Sequence, residues 1–550
     1  MPTTQVSAFV ITAALLVPVF LASAFKNFNV SYVVWSRRNW KPADGTRSDS
    51  KTAPSYSKLR IWFHKLCLTG VPQLTALTGM GLSEMIQLTI FVGTNLIFVV
   101  VPTPFVQSEV YGMLNIGRRA AWVGTGLGFF ILLTATRNSI LETVTGIPFD
   151  RMVMYHRWSG YVLYLHMALH SVTELQNWDR QGTMWQQITN TKRLLNLYGT
   201  LSFLFMVVFV AFSHSLFRRR FFNLFYYCHF AFVGYTVFGG LHWDEYALFS
   251  AAGMLFYFFD RIIRFVRSRQ SCTVVSLKHF SSANMVRVVL RAPRFSYHAG
   301  QYAFINVTGL SLLAWHPFSM TSAPDPLGRS EEEYVTLHIK NVGDWSKKLV
   351  ESVQEAGKDA AKTVRMSIDG GHGRPALDFT TFPVALFVSG GVGVTPMLAV
   401  LQSLIKRAEC GLPTSNKKLY FFWYIRISST LPAFAEELSA VQDAAGRLRG
   451  VLDVVMRVFV TADDEGEWRR SLVKEDEMKG GVVRTPYELL EEGKPEVGKL
   501  FSEVKAAHPS DDVAVGVCGP QSMVNDTRSA AAANSDRSGL FSVHWESFEL

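Results

Sequence analysis

Residues 156–170 read HRWSGYVLYLHMALH and residues 229–242 read HFAFVGYTVFGGLH. Each stretch begins and ends on histidine inside an apolar run of membrane-spanning length, which takes about 20 residues. An ionisable side chain in hydrocarbon is costly and marks a functional site by default. On a helix, the fourteen residues from His156 to His170 cover about 21 Å and nearly four turns, so both side chains face one way. The thirteen residues from His229 to His242 make about 3.6 turns and do not restore the face. A local distortion is therefore expected before His242, such as a π-bulge at Gly239-Gly240.

The two histidine segments run in the same direction across the bilayer. His156 then pairs with His229 at one depth and His170 with His242 at another. A lone histidine would read as an interhelical hydrogen bond; two pairs at matched depths read as metal ligands. Two imidazoles at one depth fill both axial positions of a heme iron, and such a heme passes electrons instead of binding a substrate. The expectation is two b-type hemes, one above the other. For His166 and His214 the reading is packing or supporting hydrogen bonds. Arg118, Arg119 and Arg157 read equally as partners for heme propionates or as interfacial snorkelling cations.

The chain has 550 residues, 49% of them hydrophobic, a net charge of +10 and a mean hydropathy of +0.16. That combination fits a membrane half joined to a soluble half. The basic excess fits cytoplasmic loops, and no nucleic-acid-binding motif argues otherwise. Cys67, Cys228, Cys272, Cys410 and Cys518 are scattered and form no C-x-x-C, so neither a disulfide framework nor a zinc site is indicated.

Apolar spans are expected near 5–25, 84–104, 119–136, 153–173, 197–216, 222–242 and 246–266. The loop 26–83 carries Lys26, Arg37, Arg38, Lys41, Arg47, Lys51, Lys58, Arg60 and Lys65, and the short loop at 217–221 carries Arg218, Arg219 and Arg220. The positive-inside rule places both loops, 137–152 and everything after 266 in the cytoplasm. Ala22-Ser23-Ala24 resembles a signal-peptidase site, but residues 1–4 lack the usual basic flank, so the first span is read as a retained anchor.

From about 270 the pattern changes to short alternating strands, as in an antiparallel β-barrel. His316, Pro317, Phe318 and Ser319, followed by Thr321, suit a planar heterocycle; Lys340 and Ser346 supply a cation and a polar group for a pyrophosphate. Next, VALFVS runs into Gly390, Gly391, Gly393, Thr395 and Pro396. A strand, a glycine turn and a proline early in a helix make an anion site from backbone N–H groups. A second strand ends at Arg426, which reads as a 2′-phosphate ligand selecting NADPH or as a strand-end salt bridge. The strand VAVGV ends at Cys518, Gly519 and Pro520. Alternating strands and helices indicate a parallel α/β domain.

In this order, the paired histidines, the HPFS segment, GGVGVTP and CGP resemble the ferric reductase and NADPH oxidase superfamily over residues 84–550. The N-terminal anchor and the ending Phe548-Glu549-Leu550 resemble fungal ferric-chelate reductases more than oxidases. The resemblance implies a ferredoxin-reductase-like module that binds FAD and NADPH, with Phe548 covering the flavin ring. It divides the chain into an anchor and basic loop (1–83), a six-helix heme domain (84–268), an FAD-binding β-barrel (269–378) and an NADPH-binding α/β domain (379–550). One departure stands out. The family's D-G-P-[FY]-G turn is Asp369-Gly370-Gly371-His372-Gly373 here, so a more flexible loop is expected.

These readings predict an integral membrane enzyme of the plasma membrane, with its C-terminal half in the cytoplasm. Electrons from NADPH would pass through FAD and two hemes to an external ferric, or cupric, chelate in support of iron uptake. Asp244 and Glu245 either attract cationic complexes or form a solvated turn. An NADPH oxidase producing superoxide shares every internal part, and a transporter with a decayed soluble half is the alternative of another class. Partner subunits and oligomeric state have no signature in the sequence.

Overall fold

The computed structural model describes residues 56–69, 82–100, 112–136, 149–190, 194–267, 272–293, 295–310, 315–328, 334–373, 375, 377–462 and 490–546. It divides into two compact units, one built on Ser83–Ile263 and one that joins the stretch ending at Leu82 to Arg264–Glu549. The first span expected, at 5–25, lies outside the described residues, as does Phe548.

The first unit is helical. Its elements are α2 (Leu82–Val100), α3 (Met113–Thr134), α4 (Phe149–Arg180), α5 (Met184–Ile188), α6 (Leu195–Ser213), α7 (Ser215–Arg220), α8 (Phe222–His229), α9 (Ala231–His242) and α10 (Asp244–Arg267). Met113–Thr134, Leu195–Ser213, Phe222–His242 and Asp244–Val266 are long and apolar enough to cross a membrane, and Met85–Val100 is a shorter apolar helix. Helix α4 has 32 residues, but His156, Arg157, His166 and His170 lower its hydropathy. Those polar groups are affordable because the helix packs inside the unit. Val123, Leu127, Phe130, Leu163, Met206 and Tyr235 form a common core. Leu204, Val237, Leu255 and Phe258 face outward, as lipid contact requires.

The second unit holds two three-stranded antiparallel sheets and one parallel sheet of six strands. The strands are β1 (Thr273–Phe280), β2 (Met285–Arg291), β3 (Tyr302–Thr308), β4 (His316–Ser319), β5 (Tyr334–Lys340) and β6 (Arg365–His372). They pair in the orders β1-β2-β5 and β4-β3-β6, around a shared core that includes Val288, Ile305, Leu337 and Ile368. The antiparallel β-barrel expected from the sequence is built as two sheets, bridged between Met320 and Leu337. Helix α11 (Asp344–Ala356) covers them with Leu349 and Val353.

The parallel sheet is built from β7 (Val384–Gly390), β8 (Lys418–Ile425), β9 (Asp453–Val460), β10 (Leu490–Glu492), β11 (Val513–Cys518) and β12 (Phe541–Glu546). Its order is β10-β9-β8-β7-β11-β12. The near-continuous apolar runs of β7 and β11 are buried along their length, as expected where helices cover both faces. Helices α12 (Val394–Glu409), α13 (Ala435–Arg447), α14 (Val497–Ala507) and α15 (Gln521–Asn534) supply the connections. Strand order reverses between β7 and β11, and such sheets bind ligands at the strand ends beside that point.

One element was not anticipated. Within the loop expected at 26–83, Lys58–Thr69 forms a helix, α1, packed on the second unit. Leu68 joins the core of Phe501, Val515 and Phe541. The Tyr56 hydroxyl donates to Asp512 at 2.7 Å, and His64 Nε2 donates to the Phe541 carbonyl of edge strand β12 at 3.0 Å. Burial holds the His64 imidazole at a pKa of about 4, against the usual 6.5. Covering the last strand also removes an exposed sheet edge.

Candidate functional site

The structure brings the four histidines together in two pairs. The His156 and His229 ring centroids lie 6.2 Å apart, and those of His170 and His242 lie 6.4 Å apart. A metal gripped between two imidazoles, with bonds of about 2 Å as for other first-row metals, puts the ring centres about 6 Å apart. Among the described residues no cluster of three or more His, Cys, Asp or Glu side chains could hold a metal by itself. At that spacing each pair of imidazoles fits a group that brings its other donors with it, as a heme does.

Hydrogen bonds fix the tautomers. His156 Nδ1 lies 3.1 Å from the Ile131 carbonyl, and His242 Nδ1 lies 2.7 Å from the Leu195 carbonyl. A carbonyl only accepts, so both Nδ1 atoms carry the proton. The Ser213 hydroxyl donates to the Phe209 carbonyl and so accepts from His229 Nδ1 at 2.9 Å. In all three rings Nε2 keeps its lone pair for a metal, the arrangement usual in imidazole-bound sites.

The distortion between His229 and His242 exists, but it is neither widened nor at Gly239-Gly240. Phe230 interrupts the helix, its N–H bonding to the Tyr227 carbonyl, and the Val233 N–H bonds back to the Phe230 carbonyl at 3.0 Å. These three-residue bonds tighten the turn. Each tightened residue adds about 20° of rotation, which swings His242 toward the face of His229.

Two of the arginines separate in role. Arg118 pairs with Glu174 at 2.8 Å. Arg119 is buried, and its Nε and Nη1 have no hydrogen-bond partner among the described residues. A buried guanidinium requires an anion, and a propionate of a heme held by His170 and His242 would meet that need. His166 is buried, and its Nδ1 likewise has no partner among the described residues. His214 is exposed and caps α7 through the Leu216 N–H. Asp244 and Glu245 form the first turn of α10, where carboxylates complement the helix dipole.

In the second unit, the glycine turns converge at the point of strand reversal. Ser389 pairs with Cys518 in register, so Gly390, Gly391 and Gly393 lie beside Gly519. Gly391 takes φ +55, and a Cβ on Gly393 would stand 2.5 Å from the Cys518 carbonyl oxygen. Neither position accepts a side chain without backbone movement. Trp423 Nε1 donates to the Gly391 carbonyl, and the Thr395 hydroxyl donates to the Val392 carbonyl, so these side chains hold the turn itself. Pro396 stands in the first turn of α12, whose open N–H groups face the crevice. Arg426 directly follows β8 at the same sheet edge and is exposed. Burial pushes the Cys518 thiol well above its usual range.

The HPFS segment forms β4, with Tyr302 opposite Ser319 and Phe304 opposite Pro317. Phe318 is half-buried and stacks on Trp345 at 5.6 Å, and the ring of His316 lies 4.5 Å from the same indole. Burial lowers the His316 pKa. Ser346 accepts from the Val342 and Gly343 N–H groups at 3.0 Å, which leaves the start of α11 and the exposed Lys340 to meet an anion. Thr321 is fully buried, and its hydroxyl bonds to His338. The altered turn is held, not loose. β6 runs through it to His372, Gln301 bonds to the Gly371 and Gly373 carbonyls, and His372 packs between Tyr302 and Phe304.

Three parts of the chain match known protein families. Residues 120–240 match the family described as ferric reductase like transmembrane component, 269–376 an FAD-binding domain, and 382–532 a ferric reductase NAD binding domain. NADPH oxidase 1 of Mus musculus is 25% identical over 466 residues, covering 69% of this chain and 76% of its own. Ferric reduction oxidase 7, chloroplastic, of Arabidopsis thaliana is 28% identical over 329 residues, covering 57% and 43%. Among solved structures, the FAD/NAD-binding domain of nitric oxide dioxygenase from Vibrio cholerae O1 biovar El Tor covers 51% of this chain and 99% of its own, at 18% identity and a TM-score of 0.35. The chain is thus a transmembrane oxidoreductase with FAD- and NAD-binding domains, related to both NADPH oxidases and ferric reduction oxidases.

Proposed function

We propose that this protein carries electrons from cytosolic NADPH, by way of FAD and two b-type hemes, to a ferric or cupric chelate on the far side of the plasma membrane. One observation carries the reading: two histidine pairs, 6.2 and 6.4 Å between ring centres, with ligand positions about 21 Å apart along α4. When bound, FAD supplies the conversion of a two-electron donor into single electrons, and the hemes carry those electrons one at a time. His156 with His229 would hold the inner heme, and His170 with His242 the outer one. An iron held by two of these imidazoles would carry electrons and would not bind the acceptor.

The turns at Gly390–Gly393 and Cys518–Gly519 hold the nucleotide beside the strand reversal, with Arg426 placed for a 2′-phosphate. Phe318 offers its ring, and Lys340 its ammonium, to the flavin and its pyrophosphate. Docking of α1 on the C-terminal module supports the placement of 26–83 and the module on one side of the membrane, where the basic loops put the cytoplasm. Iron uptake is the role a ferric-chelate reductase of this kind serves.

Superoxide production is the competing reading, favoured by the likeness to NADPH oxidase 1, which extends over 76% of that protein. Purified protein in lipid vesicles separates the two. The proposal expects NADPH-driven reduction of ferric citrate without oxygen, and little superoxide when ferric citrate is supplied in air. Superoxide formation with no anaerobic iron reduction would refute it.

A further inference from the structure

Where the antiparallel sheets meet the parallel-sheet domain, a set of buried polar side chains has no assigned role. His338 of β5 lies there with its ring flat on Phe434, centroids 4.0 Å apart and planes at 16°. Its Nε2 sits 2.8 Å from the Ala433 carbonyl and its Nδ1 2.9 Å from the Thr321 hydroxyl. The carbonyl accepts from Nε2–H, so Nδ1 accepts from Thr321. Burial holds the His338 pKa at about 3, which keeps the ring neutral and this tautomer intact.

Beside it, Arg287 of β2 donates from Nε and Nη2 to Glu437 Oε1, at 2.9 and 2.7 Å, and Nη2 also lies 2.7 Å from Glu436 Oε2. Glu437 and Arg287 are both buried; Lys278 closes the cluster from solvent by pairing with Glu436 at 3.0 Å. Burial raises the pKa of Glu437 against the pull of Arg287. Domain contacts within a chain are polar and mobile by default. This one holds a buried Arg287–Glu437 pair and a buried, doubly hydrogen-bonded His338, which is what a fixed joint requires.

Its placement gives it a task. Thr321 lies three residues after Phe318, and His338 two residues before Lys340. Glu437 follows Arg426 by a single short segment, Ser428–Phe434, which itself carries Ala433 and Phe434. One cluster therefore ties the flavin strand, the pyrophosphate lysine and the nucleotide-binding strand end together.

We infer that Arg287, His338 and Glu437 are positioning residues that set the nicotinamide against the flavin for hydride transfer. The inference rests on the proposed NADPH-to-FAD reading. Hydride transfer needs reacting atoms about 3–3.5 Å apart, and a displacement of about 1 Å costs on the order of 100-fold in rate.

The test uses full-length protein reconstituted with FAD, rapidly mixed with NADPH or with its 4-deuterated form. For Arg287→Met and His338→Leu, the limiting rate of flavin reduction is expected to fall about 10- to 100-fold. The deuterium isotope effect should rise, and the NADPH dissociation constant and FAD content should stay near wild type. Glu437→Gln keeps an acceptor for Arg287 and should lie between, which preserves the test if a harsher variant does not fold. Lys362→Ala, in an exposed surface pair with Asp359 outside this cluster, should match wild type. Unchanged rates and isotope effects in Arg287→Met and Glu437→Gln would overturn the inference, as would loss of FAD in both. A wild-type protein that takes no electrons from NADPH would instead overturn the function proposed above.

Discussion

Gly199 on α6 offers the sharpest test of the outer histidine pair. A methyl group there would stand 2.9 Å from His242 Cε1 and Nδ1 and 3.2 Å from Cγ. Ordinary carbon contacts begin near 3.5 Å, so the ring would have to retreat by about half an ångström. It cannot retreat freely, because its Nδ1 is held at 2.7 Å by the Leu195 carbonyl, one turn earlier on the same helix. Overpacking of this kind costs about 1–3 kcal/mol. Disturbing the bond that orients a ligand histidine costs about 10- to 100-fold in metal affinity. Gly199→Ala is therefore expected to lose heme from the outer level while the inner level stays filled. Heme-to-protein ratio by pyridine hemochrome should fall from two toward one, with flavin reduction by NADPH unaffected. Gly160→Ala is the control, since nothing lies within 4 Å of its added methyl. Two tightly held hemes in Gly199→Ala would show that His242 is not gripping a heme in this geometry.

Ser213→Ala removes the acceptor for His229 Nδ1 and should weaken inner-level heme retention by about 10- to 100-fold, measured as heme transfer to apomyoglobin. Leu68→Ala should destabilise the docking of α1 by about 2–5 kcal/mol, seen as faster amide exchange across 58–69 with exchange in β3 unchanged. Acid should weaken the soluble module. His64 and His338 have folded pKa values of about 4 and about 3, below the usual 6.5, so the unfolded chain binds more protons between these limits. Stability should fall as pH drops from 6.5 toward 4, by up to about 2.7 kcal/mol per unit for the two groups together. Glu437, raised by burial, opposes this just above the usual carboxylate range. A flat melting temperature for FAD release between pH 7 and 5 would contradict the assignment of both histidines as buried and neutral.

The parts readable in the sequence share one property: their signal lies in side-chain type at fixed spacing. The histidine pairs, the GGVG and CGP turns and the apolar strands β7 and β11 are of this kind. What escaped lies in the backbone or in distant partners. The Ile131 and Leu195 carbonyls that orient His156 and His242 have no residue signature, since every residue has a carbonyl. Ser213, which orients His229, carries no spacing signal, and its neighbour His214 is a helix cap. The tightened turn at Phe230 follows from the demand that both histidines face inward, and no glycine or proline marks it. Helix α1 is short, and its partners Asp512 and Phe541 lie more than 400 positions away. His338 stands two residues before Lys340 and so on the same face of β5, and its part in the joint depends on Phe434, a residue distant in the sequence.

The central claim is tested most directly on His170→Ala protein in sealed vesicles, with NADPH on one side and ferric citrate on the other. The account predicts normal flavin reduction, heme content reduced from two to one per chain, and no iron reduction across the membrane. Undiminished transmembrane iron reduction with two hemes retained would contradict it.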